Sequence, residues 1–256
     1  MSGSRPPDAM SAPLVLVDVG NTRFKWAEVT PRGAIRVQGQ VLTSQVTPAW
    51  LAAWSKKQAE RRVIVASVVP KITSLLRRHL KQALFVSGKL RGLPLAFDYP
   101  RPAELGADRL AAAIGAQVRG PVIIISCGTA TAFSVLDKRG RFCGGVIAPG
   151  PESQLRALIG TTAQLPTTSL RPVVRALGKS TQAAMRAGVL LQFQGGVREI
   201  VQRLRLEVGS FARIIVTGGQ AQHLRGVLGL GLGRVEFRPL LVFEGLRIIA
   251  ASLPEP

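Results

Sequence analysis

Leu14-Val15-Leu16-Val17-Asp18-Val19-Gly20-Asn21-Thr22 is an apolar run that ends in a carboxylate and then turns on a glycine. A short continuous apolar run closed by Gly and Asn is the pattern of a buried strand entering a tight turn. Arg23 to Val29 follows as a second strand, and Pro31–Gly33 turns the chain again. The same order then returns. Val122 to Ile125 is an apolar strand, Ser126 to Thr131 a Gly/Thr turn, Ala132 to Leu136 a second strand, and Lys138–Gly140 the next turn. Superposition places Asp18 on Ser126, Gly20 on Gly128 and Asn21 on Thr129. The offset is 108 residues (128 − 20) at the first turn and 107 (140 − 33) at the second. A repeat that keeps element order, turn position and residue type marks a duplication. The sequence therefore predicts an α/β protein of two related lobes with a cleft between them. The expected division is a disordered leader over 1–13, an N-terminal lobe over 14–119 and a C-terminal lobe over 120–256.

The remaining segments fill out each lobe. Helical spacing over Pro48–Lys57 and Pro70–Leu80 flanks a short buried strand, Arg62–Ser67. An Ala-rich helix is predicted over Leu105–Gln117. The second half continues with a glycine-rich strand end, Gly144-Gly145-Val146-Ile147-Ala148-Pro149-Gly150, and a helix over Pro151–Ile159. Helical spacing over Ser180–Leu206 includes Gly188 and Gly195-Gly196, which permit close approach of a partner. Arg213–Thr217 is a strand running into Gly218-Gly219, and Leu240–Ala251 is a closing helix.

Bulk composition narrows the function classes. At 256 residues, 46% hydrophobic and 19% charged, the chain is long enough and apolar enough for a real core. No apolar run approaches the roughly 18–20 residues that span a bilayer, and no signal peptide is evident, so a cytoplasmic location is expected. Two cysteines, Cys127 and Cys143, make no disulfide framework and no zinc site, and two isolated histidines make no His-based triad. The net charge of +20 attracts polyanions such as ATP, acidic metabolites or nucleic acid. The cations are spread along the chain as 26 Arg and 8 Lys with no long block, which points to genome base composition more than to a polyanion partner. Nucleic-acid binding is expected to be nonspecific at most.

Chemistry concentrates at the glycine turns. Asp18 at a strand end, with Asn21, Thr22 and Lys25 beside it, suits a Mg²⁺-phosphate site, because Mg²⁺ takes a few oxygens plus water. The same residues also suit an ordinary turn. A second turn at the equivalent place, Gly128-Thr129-Ala130-Thr131, tips the reading toward nucleotide phosphates, with backbone amides as the cradle. Gly218-Gly219 after a buried strand offers a third close approach, where adenine or ribose would lie. Gly178-Lys179-Ser180 lacks the P-loop glycine, Val173 standing in its place, and Gly229, Gly231 and Gly233 have the wrong spacing for a dinucleotide fingerprint. Tyr99, Glu104, Gly106, Asp108 and Arg109 supply a substrate set: Asp108 as a base near a helix start, Arg109 as a fork for a carboxylate.

These motifs together resemble the type III pantothenate kinases, the family that includes proteins named Bvg accessory factors. The resemblance rests on Asp18–Thr22, Leu105–Arg109, Gly128–Thr131, Gly144–Gly150, Thr162–Pro166, Gly178–Thr181 with Ala184-Met185 and Gly188, Thr217–Gly219 and Glu244–Leu246. They come in family order over about residues 14–250. The resemblance implies duplicated RNase H-like lobes of the acetate kinase/sugar kinase/Hsp70/actin superfamily, and a homodimer. It implies ATP- and Mg²⁺-dependent phosphorylation of pantothenate to 4′-phosphopantothenate, the first step of coenzyme A biosynthesis. Asp18, Val19, Gly20, Asn21, Thr22, Arg23, Phe24, Lys25 and Thr129 would then meet ATP and its metal. Tyr99, Gly106, Ala107, Asp108, Arg109 and Thr181 would meet pantothenate, with Asp108 accepting the hydroxyl proton. The pattern breaks at Ser126, Ala132 and Ser134, where the family usually has Asp, Thr and Asp. The first of these is the family's monovalent-cation position, so a K⁺ or NH₄⁺ requirement is weakened here. The rival expectation is a catalytically weakened relative with a regulatory, nucleic-acid-associated role.

Overall fold

A computed structural model describes residues 13–117, 120–171, 175–225 and 235–253. Residues 1–12 of the expected leader lie outside the described residues, as do Val173, Gly229, Gly231 and Gly233. The chain divides into two compact units.

The first unit takes the chain up to Gly92, Ala103–Ala111 and the chain from Val242 onward. Its strands are β1 (Leu14–Val19), β2 (Arg23–Val29), β3 (Ile35–Leu42), β4 (Arg62–Ser67) and β5 (Leu84–Phe85), in the sheet order β3-β2-β1-β4-β5. β1 and β2 pair antiparallel, as do β2 and β3, whereas β4 runs parallel to both β1 and β5. Side chains alternate across a strand. Val15, Val17 and Val19 therefore share one face of β1 and pack with Leu51 and Trp54 of helix α1 (Pro48–Lys56) and Ile72 and Leu76 of helix α2 (Pro70–His79). Leu16 and Asp18 stand on the other face.

The second unit takes Leu93–Pro102 and Ala112–Leu241. Its strands are β6 (Val122–Cys127), β7 (Ala130–Leu136), β8 (Phe142–Pro149), β9 (Arg213–Thr217) and β10 (Val235–Phe237), in the order β10-β9-β6-β7-β8. Every pairing repeats the sense of its counterpart in the first sheet. The duplication is therefore complete at the level of the sheet. The offset is 108 residues for β1 and β6 (122 − 14), 107 for β2 and β7 (130 − 23) and for β3 and β8 (142 − 35), and 151 for the last two pairs (213 − 62 and 235 − 84). The jump to 151 reflects helices α4 (Pro151–Gly160) and α5 (Thr181–Val208), which stand where the first unit has only α1. Ile123, Ile125, Phe133 and Val135 of the second sheet bury against Phe193, Val197 and Val201 of α5.

Several boundaries differ from the sequence reading. β6 continues to Cys127 and β7 begins at Ala130, so the expected turn Ser126–Thr131 narrows to Gly128-Thr129. The Ala-rich helix α3 is Ala107–Gly115, shorter than expected, and its first turn closes on the Gly106 carbonyl, which accepts from the Leu110 N–H at 3.0 Å. The contacts also cut across the expected division at residue 120. The closing helix α6 (Leu241–Ser252) joins the first unit from Val242 onward. A Cβ at Gly245 would stand 1.8 Å from the Ala111 carbonyl oxygen, so only glycine allows that approach. Arg247 donates to the Gly33 carbonyl at 3.2 Å, and Arg62 to the Leu253 carbonyl at 2.9 Å.

Candidate functional site

In the first unit the β1–β2 ladder sets Asp18 opposite Lys25 and Val19 opposite Phe24, leaving Gly20, Asn21 and Thr22 to make the turn. Phe24 is fully buried in the α1 core, while Arg23 is exposed. Lys25 reaches back to the Asp18 carboxylate, Nζ to Oδ2 at 3.5 Å. Asp18 is buried. Burial pushes its carboxyl above the ordinary carboxylate range; the Lys25 charge pulls it down, and nearby Asp108 pushes it up again. A desolvated carboxylate with one ammonium at 3.5 Å and the charge of a second carboxylate acting on it carries negative charge that the site leaves unneutralised. That donor set fits Mg²⁺, a hard cation satisfied by a few oxygens and water.

Asp108 lies in the first turn of α3. Its carboxylate folds back toward the helix start, where Oδ1 accepts from the Arg109 N–H at 2.8 Å. Gly106 makes room for that fold-back: a Cβ there would stand 2.8 Å from Asp108 Oδ1. Glycine at this position is thus explained by the side chain two residues on. Ala107 is buried beneath this turn, whereas Asp108 and Arg109 are half-buried.

The second unit repeats the turn with different chemistry. Ser126 sits opposite Ala132 on β7 and Thr217 on β9, so the places of Asp18 and Lys25 are held by a hydroxyl and a methyl. Ser134 is buried two residues further along β7. The Thr129 carbonyl accepts from the Gly150 N–H at 2.9 Å and the Ser153 hydroxyl at 2.7 Å. The first turn is held alike: the Thr22 carbonyl accepts from the Thr43 N–H at 3.0 Å, and the Gly20 carbonyl from the Thr43 hydroxyl at 2.7 Å. Thr43 and Ser153 were not anticipated. Their only signal is position, Thr43 directly after β3 and Ser153 just after β8.

The glycines sort into two kinds. Gly20 and Gly128 each donate their N–H inside the turn, to Arg23 and Ala130 carbonyls at 2.9 and 3.0 Å. Both glycines therefore use that N–H within the turn, which takes Gly128 out of the amide cradle expected of the second turn; of Gly20 the sequence asks only room for a phosphate. Both leave open space, since an added Cβ would meet nothing closer than 3.6 Å. Gly218 is the opposite case: its φ is +95°, and a Cβ would stand 2.2 Å from the Cys127 carbonyl. Its close approach is to the protein's own backbone, and it is Gly219 that faces open space.

Tyr99 belongs to the second unit and stands edge-on to Phe142, ring centroids 5.5 Å apart. Thr181 opens α5 behind Ser180, whose hydroxyl accepts from the Ala183 N–H at 3.2 Å. Gly178 packs on that helix start, where a Cβ would stand 2.4 Å from the Ala184 nitrogen. The structure thus brings Asp18, Lys25, Gly106 and Asp108 together within the first unit, and places Tyr99, Thr129 and Thr181 on the second.

Comparison with solved structures defines the class. The chain superposes on inorganic polyphosphate/ATP-glucomannokinase from Arthrobacter sp. strain KM, with TM-score 0.51 and 17% identity over 95% of this chain and all of that one. It also superposes on the Alp12 filament structure, with TM-score 0.54 and 10% identity over 94% of this chain and 99% of that one. At such identities the likeness shows the fold alone, that of sugar kinases and actin-like ATPases. Sequence comparison goes further. The family described as type III pantothenate kinase matches residues 14–203. The type III pantothenate kinase of Akkermansia muciniphila is 34% identical over 92% of this chain and 97% of its own length. That of Moorella thermoacetica is 36% identical over 73% of this chain and 75% of its own length. The chain belongs to the type III pantothenate kinase family.

Proposed function

We propose that this chain transfers the γ-phosphoryl group of ATP to pantothenate, giving 4′-phosphopantothenate and ADP, the first step of coenzyme A biosynthesis. The observation that carries this reading is a desolvated Asp18 that feels the charge of Asp108 and stands beside the open space at Gly20, in a chain that matches the family over most of its length. Phosphoryl transfer asks the protein mainly for positioning and charge neutralisation. Asp108 accepts the proton of the pantothenate hydroxyl as its oxygen bonds to the γ-phosphorus and the bond to the β-phosphate oxygen breaks. Its half-buried carboxylate is held by the Arg109 N–H and aimed by the missing side chain at Gly106. Arg109 grips the pantothenate carboxylate as a fork. Tyr99, Ala107 and Thr181 complete the substrate contacts. Asp18 holds the metal with Lys25 beside it, and Val19 to Phe24 shape the turn that ATP meets, as Thr129 does in the second unit. Mg²⁺, when bound there, neutralises phosphate charge.

Ser126 offers a neutral oxygen where the family carries a carboxylate, so the reading includes turnover that needs no potassium or ammonium. A homodimer is proposed through the exposed face of α5, where Gly188, Gly195 and Gly196 meet nothing within 4 Å and Leu191 is exposed. The proposed location is cytoplasmic; no helix among the described residues is long and apolar enough to cross a membrane. Any nucleic-acid binding is nonspecific and fades as salt rises.

The test is ADP formation coupled to a spectrophotometric readout, with and without pantothenate and potassium, and with the product identified by mass. Pantothenate-dependent ADP formation and a product heavier by one phosphoryl group are expected. ADP formation indifferent to pantothenate, or none in any salt, contradicts the reading.

A further inference from the structure

A three-charge bridge lies outside the machinery described so far, in the second unit. Asp137 caps the β7–β8 hairpin: its Oδ1 accepts from the Arg139 and Arg141 N–H groups at 2.8 and 2.9 Å. Its Oδ2 takes the Arg141 Nε at 2.8 Å, and the other arm of the same guanidinium reaches Asp98 Oδ2 at 2.9 Å. Burial pulls the Asp137 carboxyl up, and the hydrogen bonds from Arg141 and Arg139 pull harder, holding it below the ordinary range. Ligand atoms of Asp98, Asp137 and Cys143 lie within 4.8 Å of one another, the spacing of a metal cluster. The guanidinium between the two carboxylates already supplies the cation, so a metal is not required.

What the bridge joins is informative. Asp98 lies in the segment Leu93–Pro102, which the second unit takes up apart from the rest of its chain. That segment docks on the start of β8 through one parallel bridge, Phe97 with Phe142. Two backbone bonds make it: Phe142 N–H to the Ala96 carbonyl at 2.8 Å, and Asp98 N–H to the Phe142 carbonyl at 2.9 Å. This bridge ends at Asp98, and Tyr99 follows directly. Its ring meets Phe142 at 88° and lies over Gly144, where a Cβ would stand 3.8 Å from the ring. Ring contact, the missing side chain at Gly144 and the clamp on Asp98 together fix where Tyr99 stands.

We propose that Arg141 is a positioning residue for pantothenate, acting through Asp98 on Tyr99. This rests on the reading above that Tyr99 contacts that substrate. Arg141 touches neither substrate nor nucleotide in this account; it sets the register of the segment that carries the contact. The clamp is bidentate in effect, one guanidinium holding two carboxylates, so lysine satisfies one and releases the other.

Tyr99 is the single tyrosine of the chain, so tyrosine labelled at Cζ gives one NMR resonance that reports this position alone. Arg141→Met keeps the aliphatic stem and removes the bridge. It is expected to move that resonance in the ligand-free protein and to raise KM for pantothenate on the order of fivefold, the scale of an exposed ion pair, with kcat and KM for ATP near wild type. Arg141→Lys should fall between the two. Asp98→Asn should move the resonance and KM the same way, and the double variant should be no worse than Arg141→Met, because the contact to Asp98 is already lost there. An unmoved resonance in Arg141→Met, or a loss confined to kcat, overturns the proposal. Tyr99→Ala distinguishes the two readings: unchanged pantothenate KM there removes the substrate role assigned to Tyr99, whereas the resonance judges the hold of Arg141 on the ring by itself.

Discussion

The two glycine turns are one scaffold carrying two chemistries. In both, a buried strand pairs antiparallel with the next, a glycine N–H closes the turn, and a carbonyl of the turn is held from just beyond the third strand. Thr43 and Gly150 make that last bond from equivalent places, 107 residues apart (150 − 43). Yet the first turn has three residues between its strands and the second two. The first carries Asp18 opposite Lys25; the second carries Ser126 opposite Ala132. Position in the fold is thus inherited, while charge is set locally. The proposed function accordingly gives metal and charge chemistry to the first turn and leaves the second to shape and hydrogen bonding.

The largest effect expected is at the base proposed beside the charged turn. Asp108→Asn keeps the shape and the Arg109 N–H bond but cannot take a proton. Turnover should fall roughly 10²–10⁴-fold, as general-base losses do, with ATP affinity little changed by calorimetry. Turnover near wild type would remove Asp108 from that role.

The turns should differ in what they tolerate. Gly150→Ala forces a Cβ to 2.1 Å from the Gly128 carbonyl and should cost about 1–3 kcal/mol of stability, the usual range for overpacking. Gly20→Ala has room and should leave the melting temperature nearly unchanged while raising KM for ATP. Equal melting losses in both would show that the open space at Gly20 is not there.

A smaller contrast is thermodynamic. The Asp18 carboxyl lies above its unfolded value in the fold. A raised acid binds its proton more tightly when folded, so its contribution to stability is present below the unfolded value and lost as pH rises through the folded one. Ionised Asp18 therefore costs stability at neutral pH. Asp18→Asn should melt higher than wild type there, and the gap should close as pH falls through the carboxylate range. A lower melting temperature at neutral pH would show that the Lys25 pair outweighs burial. The smallest effect is at the neutral turn: Ser126→Asp should make turnover responsive to potassium at constant ionic strength, with sodium as the control. Strong potassium stimulation of wild type would contradict the account of this position.

Much of this comparison was legible beforehand. Continuous apolar runs such as Val122–Ile125 announce buried strands because both faces are covered. The edge strand β3 was not visible, since most of it is exposed, Val37 included, and Gly39 interrupts it: a Cβ there would stand 2.4 Å from the Trp26 ring. β5 and β10, of two and three residues, are too short to show a period. Asp18 and Asp108 were readable as residue types, but their electrostatic contact joins positions ninety residues apart (108 − 18), which no local pattern encodes. Glycine was the most misleading letter. Gly20, Gly106 and Gly218 look alike in sequence, and serve respectively an open space, a neighbouring carboxylate and a backbone crossing.

The division of labour between the turns is tested most directly by one pair of variants in one assay, pantothenate-dependent ADP formation by Asp18→Asn and by Ser126→Ala. Asp18→Asn should lose turnover on the order of a hundredfold or more, while folding at least as stably as wild type at neutral pH. Ser126→Ala should turn over close to wild type without potassium. Comparable losses in both variants, or an active Asp18→Asn, would contradict the assignment of the charge chemistry to the first turn.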